Sequence, residues 1–171
     1  MRNSARAASG LCATMLLAAC GGGSDGEPST PQLTGTRGNA AAYRGVWRTD
    51  CGFTLEGTQT RGVKMTLEVT SASGSTANGR LTRTIYFSTS ACTSGTAALS
   101  TTTDGVTLNI DPAPVNVIGD FAGSADKVTL SAPGKASSTS HFGFLPDMSG
   151  FYISASPNFS RLELLYRKAA P

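Results

Sequence analysis

Apolar residues return at every second position along most of this chain. That period admits β-strands and leaves no room for long amphipathic helices. Val63, Met65, Leu67 and Val69 alternate with Lys64, Thr66 and Glu68, so one face is apolar and the other polar. Gly74 to Gly79 then reads as a long turn. Leu81, Ile85 and Phe87 share the next apolar face, with Thr82, Thr84 and Tyr86 opposite. Val106, Leu108 and Ile110 follow Asp104-Gly105, a pair that suits a hairpin turn. Val115 with Val117, Val128 with Leu130, Phe142 with Phe144, and Phe151 with Ile153 continue the pattern. The last segment sets Leu162, Leu164 and Tyr166 against Arg161, Glu163 and Arg167. Pro133-Gly134, Pro146-Asp147 and Ser156-Pro157-Asn158 punctuate these runs as turns.

The reading is a single all-β domain of about eight to ten short strands, with turn signals roughly every 8–12 residues. Sequential hairpins close naturally into an antiparallel up-and-down barrel, and closure removes exposed edges. A β-sandwich is the alternative.

Residues 1–19 have the three parts of a secretory signal. Arg2 and Arg6 open it, Leu11, Met15, Leu16 and Leu17 form a short apolar stretch, and small residues precede Cys20. The stretch is short of the roughly 20 residues needed to span a bilayer. Leu17-Ala18-Ala19-Cys20 resembles the lipobox of bacterial lipoproteins. The resemblance implies cleavage before Cys20, a diacylglyceryl group on its thiol, and further acylation of the new amine. Two or more acyl chains anchor a protein stably where one does not. Gly21 in place of Asp resembles a signal for the outer membrane of a Gram-negative bacterium. Residues 20–41 then read as lipid anchor and Gly/Ser/Pro linker, with the folded domain over 42–171.

Removing Arg2 and Arg6 from the 14 basic residues leaves 12 against 11 acidic ones. No Lys/Arg cluster is apparent along the sequence, and the balance gives no reason to expect nucleic acid as a partner. Of the four cysteines, Cys12 leaves with the signal and Cys20 is lipidated. Cys51 and Cys92 remain in an exported chain, where a disulfide is expected. Closing a loop of about 40 residues is worth roughly 4 kcal/mol in the chain-entropy model.

Tyr43-Arg44-Gly45-Val46-Trp47 resembles the YxGxW opening of lipocalins and their bacterial lipocalin-like relatives. That family's Trp plugs the closed end of an eight-stranded barrel, under an Arg from near the last strand. The resemblance implies that Tyr43, Gly45 and Trp47 are structural markers. It also implies that Arg167, with Arg161 second, lies over the Trp47 indole with cation–π character. The family's Asp-containing turn before a Tyr is not evident here. Tyr43, Gly45, Trp47, Cys51, Tyr86 and Cys92 also match a pattern of bacterial lipoproteins that carries no activity to transfer.

Chemistry is sparse. His141 is the only histidine, so a Ser-His-Asp base would have to be His141, and no G-x-S-x-G is present. One His and two paired Cys do not make a zinc site. Asp104, Asp111, Asp120, Asp126 and Asp147 fall near turns and read as residues that bond their own backbone. No catalysis, metal or cofactor is expected. Arg83 shares a face with Leu81, Ile85 and Phe87, and is either a rim side chain or a contact for an anionic ligand in the lumen. Two functions fit this inventory. One is a membrane-anchored binding module for a small apolar or amphipathic ligand. The other is a structural or protein-interaction lipoprotein whose barrel is filled by its own side chains.

Overall fold

The computed structural model describes residues 29–94 and 97–170; Cys20 and the signal lie outside the described residues. In chain order the strands are β1 (Gln32–Leu33), β2 (Gly45–Thr49), β3 (Gly52–Glu56), β4 (Gln59–Ser73), β5 (Thr76–Tyr86), β6 (Ser100–Ile110), β7 (Val115–Asn116), β8 (Ile118–Gly119), β9 (Ala122–Ser131), β10 (Ser138–Phe144), β11 (Gly150–Ser154), β12 (Asn158–Phe159) and β13 (Leu165–Lys168). A 3-10 helix (Ala40–Tyr43) precedes β2, and one short helix, α1 (Thr89–Ser94), follows β5.

Eight of the strands form a closed antiparallel up-and-down barrel in the order β2-β4-β5-β6-β9-β10-β11-β13. The ring shuts where β13 pairs with β2, with Tyr166 opposite Thr49 and Lys168 opposite Trp47. The expected barrel is therefore the observed one. Two turns differ from the reading. The β4–β5 hairpin turns on Gly74-Ser75, and Gly79 lies inside β5. Asp104-Gly105 lies inside β6, where Asp104 pairs with Leu81 and Gly105 with Arg80. Continuous pairing of β5 with β6 overrides the local turn preference of that dipeptide. The last strand is also shorter than its pattern: Leu162 is almost fully exposed, in a turn ahead of β13.

The alternation works as expected within the ring, except that Phe87, read with Leu81 and Ile85, lies beyond the end of β5 and is exposed. Trp47, Leu67, Leu108, Val128, Phe142, Phe144, Phe151 and Tyr166 are all buried and meet in one core. The rings interlock: Phe151 stacks on Tyr166 at 5.2 Å and on Phe142 at 5.4 Å, and Trp47 meets Phe151 edge-on at 5.0 Å. Each such ring contributes up to about 3 kcal/mol by burial.

A second core sits on the outside of the barrel, where Leu33, Val117, Phe121, Ala125 and Phe159 cover one flank. This corrects the boundary of the linker. Residues from Gln32 onward belong to the domain, because β1 pairs in parallel with β9 and Leu33 is 3% exposed. Leu33 fits against Gly143, where a Cβ would come within 2.6 Å of its Cδ1. One apolar side chain, a row of backbone bonds and a few polar side-chain contacts hold this strap, so its small polar composition hides it.

Candidate functional site

The YxGxW residues close one end of the barrel. Gly45 has φ +123°, a conformation that disfavours any side chain. That turn lets the Trp47 indole N–H donate to the Tyr43 carbonyl at 2.7 Å. The Tyr43 hydroxyl in turn donates to Asp126 at 2.8 Å. Burial, then the neighbouring Asp126 charge, push the Tyr43 hydroxyl pKa well above its ordinary value.

Asp126 organises this end of the barrel, and its sequence reading as a turn residue is corrected. It lies within β9, opposite Phe142, and is fully buried. The Thr36 N–H donates to both carboxylate oxygens at 2.8 and 2.9 Å, the Thr36 hydroxyl donates at 2.6 Å, and the Arg37 N–H donates at 3.2 Å. A buried carboxylate is tolerated only when bonded in this way. Here the bonds come from the strap, so Asp126 ties residues 34–37 over the barrel end. The other four aspartates do serve the surface: Asp111 and Asp147 accept from backbone N–H groups two residues on, Asp120 from Arg161, and Asp104 from Lys135.

The cation over Trp47 is Lys168, with Nζ 5.4 Å from the ring centroid, and not Arg167. Register explains the correction. Lys168 pairs with Trp47, whereas Arg167 pairs with Arg48 and so faces outward. Arg167 instead reaches Asp50 at 3.9 Å.

Arg83 does share the inner face, paired with Met65 and Thr102. Its guanidinium is half-buried and donates to Thr54 on the neighbouring hairpin at 3.1 Å. A hollow of about 200 Å³ is lined by Leu81, Val106 and Leu130, with the Asp104–Lys135 ion pair at its edge. Small-molecule sites usually run to roughly 300–1,000 Å³.

Cys51 and Cys92 form the expected disulfide, with Cα atoms 5.8 Å apart. It pins α1 against β4, where Gly62 makes room: a Cβ there would meet Cys92 Cβ at 2.7 Å. His141 is nearly buried on the outer flank, opposite Ser154 and Lys127. Its Nδ1 has no hydrogen-bond partner among the described residues. Burial first, then Lys127, lower its pKa.

A further opening lies on the outer wall and was invisible along the sequence. A cleft of about 770 Å³ runs beside the disulfide and takes in Arg48, Lys64, Arg167 and Lys168. These residues come from β2, β4 and β13, and only the register brings them together. Comparison with protein-family models, curated proteins and solved structures finds no match.

Proposed function

We propose that the chain is a cell-envelope lipoprotein, held on the outer membrane through acyl chains on Cys20, whose filled barrel works as a protein-interaction module. The observation that carries this reading is the occupied lumen. Trp47, Phe142, Phe144, Phe151 and Tyr166 fill the space in which a lumenal ligand would sit. The hollow lined by Leu81, Val106 and Leu130 speaks for the other reading, a small apolar ligand, but its volume of about 200 Å³ is below the usual size of such sites. Recognition would then fall to the outer surface and the rims.

Native mass spectrometry of the protein purified from its own host tests the reading. The expected result is a chain free of small molecules and associated with a stoichiometric envelope protein. A co-purified apolar small molecule overturns it. The anchor has its own test: Cys20→Ala should shift the protein out of the membrane fraction or leave it as unprocessed precursor. Normal processing and membrane retention of that variant would defeat the lipidation proposal.

A further inference from the structure

We propose that the outer wall of the barrel carries a binding site for a phosphoryl group, centred on Arg48 and Arg167. This goes beyond the interaction reading and does not depend on it.

The argument starts from register. Arg48 on β2 stands directly opposite Arg167 on β13 and directly opposite Thr66 on β4. Trp47 and Thr49, on either side of Arg48, are buried in the barrel, so Arg48 and its partners face outward. Like charges placed directly opposite each other on neighbouring strands destabilise a sheet. Lys64 lies two residues from Thr66 on the same face and lines the cleft, with its ammonium 5.9 Å from the Tyr86 ring centroid on the β5 side. Lys168 also lines the cleft, but its ammonium is turned to the Trp47 ring and is not counted with the outward cations.

Counter-charge is scarce. Asp50 is the acidic residue that lines the cleft, and its side chain is 90% exposed at 3.9 Å from Arg167. Among the described residues no carboxylate pairs with Arg48 or Lys64. Glu68, the next outward residue on β4, stands opposite Arg80 on β5. Two directly opposed guanidinium side chains, with Lys64 on the same face, therefore meet one exposed carboxylate, in a cleft whose volume of about 770 Å³ suits a small molecule or headgroup.

The geometry selects the anion. A carboxylate has two oxygens and one charge, and a single guanidinium satisfies it. Two guanidinium forks from adjacent strands match a group with more oxygens and more charge, and phosphoryl groups have both. The disulfide holds one wall of the cleft in place: Cys51 lines it, and Cys92 anchors α1, whose Thr93 lines it too. The phosphoryl group could belong to a free phosphate compound or to a phospholipid headgroup.

Isothermal titration of the full-length chain at low ionic strength tests the site with two probes. Inorganic pyrophosphate represents the free compound, and glycerophosphoglycerol represents a phosphodiester headgroup. We expect saturable one-to-one binding of at least one of them, and none of acetate. Arg48→Gln with Arg167→Gln should weaken binding at least tenfold. Arg44→Gln with Arg161→Gln, which removes the same charge elsewhere on the surface, should leave it within twofold. Arg48→Lys with Arg167→Lys keeps the charge, loses the planar forks and should fall between. Tighter pyrophosphate binding assigns a free ligand, and tighter diester binding assigns a headgroup. The proposal is overturned if neither probe saturates, or if both glutamine pairs weaken binding equally.

Discussion

At the scale of single residues, Asp126 and His141 show how burial reverses the meaning of a polar side chain. Asp126 has the sequence surroundings of a turn residue, yet it accepts hydrogen bonds from Thr36, Arg37 and Tyr43 in the interior. Asp126→Ala should cost about 3 kcal/mol or more, because it leaves buried donors unpaired as well as deleting the bonds. Chemical denaturation at neutral pH checks this, and a loss under about 1 kcal/mol would refute the role. His141 offers a pH test. Its folded pKa lies below the ordinary value, so the fold favours the neutral ring. The sign follows: its contribution is fully present above about pH 6.5 and is lost as pH falls through that value toward the lower folded pKa. His141→Gln should flatten this part of the stability profile. An unchanged acid limb would show that the ring is not held neutral.

At the scale of elements, the strap and the disulfide are separable additions to the ring. Gly143→Val should push Leu33 off the outer flank while leaving the barrel closed, since the inward neighbours Phe142 and Phe144 are untouched. Amide exchange would then rise for residues near β1 and hold steady across β4 and β5. Uniform deprotection of the whole domain would mean that strap and barrel unfold together. Reduction of Cys51–Cys92 should cost about 2–4 kcal/mol, read as a lower denaturation midpoint. α1 should be the first segment to exchange, because the bond pins it to β4 through the space left at Gly62.

At the scale of the whole molecule, the barrel buries two tyrosine side chains, and that sets an alkaline limit. Burial raises the pKa of Tyr43 and Tyr166. Both favour the protonated form in the fold, so stability is complete below about pH 10 and falls above it, with a slope of up to about 2.7 kcal/mol per pH unit for two protons. Tyr166→Phe keeps the ring stacked on Phe151 and should halve that slope with little effect at pH 7. A slope unaltered by the substitution would count against it. The same closure explains what could be read in advance. The alternation from Val63 to Val69, and again from Val106 to Ile110, determined which side chains face inward, because a strand's period of two survives any arrangement of neighbours. The oxidised pair Cys51–Cys92 followed from the few cysteines and the export reading. Local sequence could not determine register, and register decides contacts between strands. It put Lys168 rather than Arg167 over Trp47, placed Arg48 against Arg167 on the outer wall, and drew Asp126 beneath a strap that composition describes as linker. Patterning thus belongs to the chain itself, whereas the partners of each polar side chain were decided only when the ring closed.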